Sequence, residues 1–151
     1  MLTALLPPER IRVPLGSHSR HAVLRELVEM ALPDAEPATV DAVFQSVLAR
    51  ESIASTAMGD GLAVPHGRTG AISEFRMAAG LAESVDDYPA PDGLPVRACF
   101  LLLTPPSDGG AHLKVLARLA RLMRKDDLRS ALYSATSAEA FAAVLQRSEA
   151  P

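Results

Sequence analysis

The chain has 151 residues, 48% hydrophobic and 22% charged, with a formal net charge of -3. That length and balance suit one domain with a buried core, and the charge excludes a broad basic surface for nucleic acid or an anionic membrane. Aromatic residues are only 4% and Cys99 is the single cysteine, so the core must be aliphatic, and neither an internal disulfide nor a multi-cysteine metal site is available. The opening MLTALLPPER lacks the basic region of a secretory leader. The longest apolar runs, such as residues 98–103, fall far short of the roughly 18 residues a membrane span needs. A cytoplasmic protein with no membrane-inserted segment is expected.

In chain order, Pro7, Pro8 and Pro14 make the start irregular or extended, with residues 11–13 as an edge strand. Ser17 is placed to cap a helix running to about Leu32, with Leu24, Leu27, Val28 and Ala31 on one face. Thr39 opens a second helix with the stripe Val40, Val43, Phe44, Val47 and Leu48, and Arg50 in its last turn. Residues 52–70 lose all periodicity and are punctuated by Gly59, Gly61, Gly67 and Gly70, which predicts a structured loop holding a short strand at 62–64. Strands follow at 75–82 and 96–103, the second an unbroken apolar run suited to a buried central position. Ala111 begins a third helix with the stripe Leu113, Leu116, Ala117, Ala120 and Met123, widened by Val115, Leu119 and Leu122. A short helix starts at Asp126 or Asp127 and runs to Tyr133. Thr136 and Glu139 form a capping box for the last helix, which carries Phe141, Val144 and Leu145. Helices interleave with strands, which predicts a single-domain α/β fold, a mixed sheet with helices on its faces.

Few polar groups suggest chemistry. His18 and His21 read as solvated, and the pairs Asp86–Asp87 and Asp126–Asp127 as turn and first-turn carboxylates. No zinc spacing, phosphate-binding glycine loop or nucleophile elbow is present in the sequence, so neither a metal nor a cofactor is expected. His66 stands apart. Pro65 fixes the backbone before it and restricts Val64 to extended conformations, while Gly67 removes the next side chain. That setting suits an imidazole meeting a negatively charged group. A turn histidine with no chemical task fits the local spacing equally well.

The stretch RESIASTAMGDGLAVPHG, residues 50–67, resembles the active-site signature of the fructose/mannitol-type enzyme IIA domains of the bacterial phosphotransferase system, which include the nitrogen-regulatory IIA proteins. An Arg-Glu pair, a Ser-Thr, spaced glycines and an apolar strand ending in Pro-His-Gly are all present. The resemblance continues through DGLPVRACFLLLTP and AHLKVLARLARLM, where a second histidine, His112, opens a helix. It spans about residues 17–145, within one domain taken to cover 1–151. One departure is Arg97, where the family often has an acidic residue.

The resemblance implies a phosphotransferase. His66 would accept a phosphoryl group from an HPr-type phosphocarrier and pass it to a IIB component, or hold it as a signal for a regulatory protein target. Arg50 and His112 would meet the phosphoryl oxygens, with the Ser55 and Thr56 hydroxyls and the Gly67 N–H as further donors. Met58, Leu62 and Ile72 are expected to form a shallow apolar docking surface beside the site, although packing beneath the loop fits them equally well. The nitrogen-regulatory branch is favoured. The alternative is a regulatory binding protein, without catalysis, whose partners sense the state of His66.

Overall fold

The structure is a computed structural model and describes residues 2–108 and 110–150. Its helices are α1 (Leu2–Leu5), α2 (Arg20–Ala31), α3 (Pro37–Ile53), α4 (Ala111–Arg124), α5 (Asp126–Tyr133) and α6 (Ala138–Ser148). Its strands are β1 (Ile11–Arg12), β2 (Ala57–Gly59), β3 (Leu62–Ala63), β4 (His66–Arg68), β5 (Arg76–Val85) and β6 (Val96–Thr104), with a short 3-10 turn at Pro8–Arg10. The six strands make one mixed sheet ordered β1-β5-β6-β3-β2, with β4 also paired to β6. β5 runs antiparallel to β6, while β1 runs parallel to β5 and both β3 and β4 run parallel to β6.

The apolar run at 96–103 is the central strand because both its faces are covered. Cys99, Leu101 and Leu103 join the core under α2 and α3, whereas Ala98, Phe100 and Leu102 join the core under α1, α4, α5 and α6. β5 divides in the same way, with Ala78 and Ala82 on the first side and Met77, Ala79 and Leu81 on the second. Such two-sided burial is why neither strand alternates between apolar and polar residues. At Gly80 the sheet admits no side chain. A Cβ there would lie 2.3 Å from the Leu15 side chain, which fills the space.

Several local expectations change. The start is not irregular throughout: α1 docks on α6, and the Glu149 carboxylate accepts the N–H groups of Leu2 and Thr3 at 3.0 and 2.9 Å. Helix α2 is capped by Ser19, not Ser17, through a bond from the Ala22 N–H. The Ser17 N–H is instead bound by Glu26. α3 starts at Pro37, whose fixed φ and missing N–H suit a first helical position, rather than at Thr39. Ser137, not Thr136, caps α6. On α4 the covered stripe is narrower than predicted, consisting of Val115, Leu119, Leu122 and Met123. Leu113 is 60% exposed, because α4 meets the sheet along one side only.

Candidate functional site

His66 does not sit on a turn. It is the first residue of β4, opposite Leu102 of β6. β3 and β4 follow β6 in a single register, with Ala63 opposite Cys99 and His66 opposite Leu102. What parts them is Pro65, which has no N–H to donate at the intervening ladder position. Its carbonyl still accepts the Leu102 N–H at 2.9 Å. Val64 turns its own N–H away from β6 to the Thr56 carbonyl, at 3.1 Å.

Neighbouring residues of a strand point to opposite faces. Gly67 faces α3, where a Cβ would meet Val47 Cγ2 at 3.1 Å. His66 therefore points to the α4 face, with its partner Leu102. Its Nδ1 lies 3.1 Å from the Val64 carbonyl. A carbonyl only accepts, so Nδ1 carries a proton, and in the neutral ring the lone pair is on Nε2. The ring is half-buried.

Around His66, the other predicted residues have distinct settings. Arg50 is in the last turn of α3, one turn beyond Val47, and its Nη1 donates to the Ala54 carbonyl at 3.1 Å. His112 lies in the first turn of α4, on the face to which His66 points, with a buried Nδ1 that has no hydrogen-bond partner. At the start of α4, Asp108 Oδ1 accepts the N–H groups of the capping Gly110 and of Ala111 at 3.3 and 3.1 Å. Ser55 Oγ donates to the Pro89 carbonyl at 2.6 Å. The buried Thr56 Oγ1 donates to Glu51 Oε1 at 2.7 Å and lies 2.7 Å from the Tyr88 hydroxyl. Both hydroxyls thus fasten the loop to neighbouring chain. The Gly67 N–H faces the β6 backbone, within a ladder bracketed by Leu102 N–H to Pro65 and Thr69 N–H to Thr104. His66 points to the face of the sheet that α4 covers, and Arg50 belongs to α3, which packs on the other face of the same strand.

Glu51 was noted only as half of the Arg-Glu pair and given no role, and Tyr88 was not singled out. Glu51 Oε2 accepts the Thr56 N–H at 2.7 Å, and Tyr88 donates to Glu51 Oε1 at 2.9 Å. One signal for Glu51 was available, because it continues the Val40, Val43, Phe44, Val47 stripe by one further turn. A carboxylate on an apolar face, at the end of a helix where negative charge is disfavoured, demands partners. Tyr88 arrives from the connection between β5 and β6 and had no such signal. Burial, then the nearby Cys99 and Glu51, push its hydroxyl far above the ordinary value, so it remains a donor. Burial and then the Glu51 charge push the Cys99 thiol up to about 12.

The hairpin between β2 and β3 carries Gly59, Asp60 and Gly61 at φ +96, +56 and +80. Asp92 Oδ2 accepts the Asp60 N–H at 2.8 Å, and the Tyr133 hydroxyl donates to the Asp60 carbonyl. Only glycine fits at 61, where a Cβ would lie 2.8 Å from that hydroxyl. Arg97 stacks on the Tyr133 ring at 4.8 Å and donates to the Ala82 and Tyr133 carbonyls, so it ties the sheet to the end of α5. Of the expected docking residues, Met58 is 49% exposed. Leu62 is buried in the α4-side core and Ile72 packs partly on the α3-side core. No helix among the described residues is long and apolar enough to cross a membrane.

A family model described as "Phosphoenolpyruvate-dependent sugar phosphotransferase system, EIIA 2" matches residues 4–148. The chain is 38% identical over 145 residues to a nitrogen regulatory protein of Bradyrhizobium diazoefficiens, covering 95% of this chain and 94% of that one. It is 28% identical over 144 residues to a fructose-specific EIIA component of Haloferax volcanii, covering 95% and 94%. The crystal structure of the nitrogen regulatory protein IIA-Ntr from Neisseria meningitidis superimposes with a TM-score of 0.85 at 32% identity, covering 95% of this chain and 98% of that one.

Proposed function

Because the chain belongs to the EIIA 2 family of the phosphoenolpyruvate-dependent phosphotransferase system and is thereby a phosphotransferase-system component with a relay or regulatory role, we propose that His66 Nε2 is its phosphoryl acceptor. The observation that carries this is the Nδ1 contact with the Val64 carbonyl, which leaves Nε2 as the nucleophilic nitrogen. The Nε2 lone pair forms the new P–N bond while the donor's P–N bond breaks and its imidazole leaves with the electron pair. His66 then becomes a positively charged ring, and the Nδ1–H bond to Val64 strengthens as that charge develops.

The transferring group spreads charge over three oxygens, so catalysis is positioning plus electrostatics. Arg50 offers a guanidinium fork that swings from the Ala54 carbonyl around the open edge of β4. His112 offers a ring N–H from the α4 side. Ser55 and Thr56 hold the loop and lend no donor while their present bonds persist. The donor is an HPr-type phosphocarrier in the cytoplasm, docking where Met58 is exposed, and the receiver is a IIB component or a regulatory protein. The relatives named for nitrogen regulation favour signalling over sugar uptake as the outcome.

Incubation with phosphoenolpyruvate, enzyme I and the phosphocarrier is expected to add one acid-labile, base-stable phosphoryl group on His66. In Arg50→Ala, labelling slows by about tenfold or more. Unchanged labelling of His66→Ala would sink the proposal. Transfer onward to a purified IIB separates a sugar relay from a signal that is only held.

A further inference from the structure

Glu51 is 4% exposed, in the last turn of a helix, and among the described residues it has no ion-pair partner. A bare carboxylate is costly there, unless the bonds it accepts hold something in place. What it holds can be followed atom by atom. Glu51 Oε2 accepts the Thr56 N–H at 2.7 Å, and Oε1 accepts the Thr56 hydroxyl at 2.7 Å. The Thr56 carbonyl accepts the Val64 N–H at 3.1 Å, and the Val64 carbonyl faces His66 Nδ1 at 3.1 Å. Thr56 leads into β2, which pairs with β3 through Ala57 and Ala63, so the same segment is fixed from both ends. Since Pro65 has no N–H, the peptide that carries the Val64 carbonyl makes no ladder bond of its own to β6, and it is anchored through Val64, whose N–H is held by Thr56.

We propose that Glu51 is a positioning residue for the reaction: through Thr56 and Val64 it sets the direction of the carbonyl that keeps the proton on His66 Nδ1. This rests on the reading of His66 Nε2 as the nucleophile. The opposite tautomer places a proton on Nε2 and removes the attacking lone pair, so loosening the Val64 carbonyl lowers the reactive fraction without touching the phosphoryl group. Tyr88 donates to Glu51, with its hydroxyl 2.7 Å from that of Thr56, and braces the carboxylate from the connection between β5 and β6.

The test is nitrogen-15 NMR of His66 in the full chain, held above the imidazole titration, with no phosphoryl donor present. Wild type shows the Nδ1–H tautomer. Glu51→Ala is expected to populate the Nε2–H tautomer and to slow phosphorylation about tenfold at unchanged carrier KM. Glu51→Gln keeps a carbonyl for the Thr56 N–H and restores most of both. A folded Glu51→Ala with the wild-type tautomer overturns the proposal, as does Glu51→Gln behaving like Glu51→Ala. Should Glu51→Ala fail to fold, Glu51→Asp decides. Its carboxylate is one methylene short of the Thr56 N–H, and an unchanged tautomer in that variant refutes the coupling. The spectrum is independent of phosphotransfer, so a His66 that takes no phosphate leaves this result standing, and the reverse holds too.

Discussion

Two buried glutamates occupy matching roles in different parts of the molecule. Glu26, on α2 and 7% exposed, receives the N–H groups of Gly16 and Ser17 at 3.0 Å each and the Arg12 guanidinium at 2.8 Å. Glu51, at the end of α3, receives one N–H and two hydroxyls and no cation. Each staples an irregular segment to a helix. The first segment carries β1 and Leu15, remote from His66, and the second leads to the site. Where only the fold depends on the staple, the charge is neutralised. Where the site depends on it, neutral donors suffice and a mobile cation is kept out of the clasp, leaving Arg50 next door to turn outward.

The largest effect expected is on stability. Glu26→Ala leaves two N–H groups without their acceptor and returns a half-exposed Arg12 to solvent, at a cost of about 3 kcal/mol. Chemical denaturation measures this, and phosphorylation per folded molecule is expected to stay within about twofold of wild type. Glu51→Ala costs about 2 kcal/mol, since Thr56 and Tyr88 are left to bond each other, but it slows phosphorylation per folded molecule. If the two variants lose activity in proportion to stability alone, the contrast between the staples fails.

Acid sharpens the comparison. Burial by itself would raise the Glu26 pKa, but the Gly16 N–H, Arg12 and Ser17 together hold it below the ordinary 4.5. A carboxyl with a depressed folded-state pKa stabilises the fold at pH above 4.5, and that contribution is lost as pH falls through the lower folded value. The stability gap between wild type and Glu26→Gln is therefore expected to be full at pH 7 and to shrink progressively below pH 4.5. Glu149 is likewise depressed: burial opposes this, and the Thr3 and Leu2 N–H groups and the Thr3 hydroxyl overcome it. Glu149 is thus a second acid-sensitive staple, present in wild type and in the Glu26 variant alike. A gap independent of pH would mean that Glu26 is not held ionised by its partners.

The smallest effect concerns Cys99, fully buried behind Glu51 with its thiol pushed up to about 12. Alkylation of the native protein at pH 8 is expected to be far slower than in denaturant, and Glu51→Gln to speed it only slightly, because burial is the larger cause. Rapid native labelling would place the thiol, and the carboxylate beside it, nearer to solvent than the fold allows.

Much of this architecture was legible in one dimension. The run at 96–103 had to be a strand covered on both faces, and the α5 span from Asp126 to Tyr133 followed from its first-turn acids and apolar spacing. The residues of the Pro-His-Gly signature were equally plain. The starts of α2, α3 and α6 were each misplaced by two residues or fewer, because serine, threonine and proline offer competing starts and only the docked helix selects among them. Helix α1 was illegible: Leu2–Leu5 is too short to be stable alone and exists because α6 and Glu149 receive it.

What the amino-acid order determined by itself was local: a proline that stops pairing, a glycine that admits α3, and a histidine between them. Which imidazole nitrogen is free was decided only in three dimensions. That choice depends on Val64 turning toward Thr56, on Thr56 being held by Glu51, and on Tyr88 arriving from 32 residues away. Hydrogen bonds are short-ranged and directional, so a tautomer is set by atoms within about 3 Å, whatever their distance along the chain.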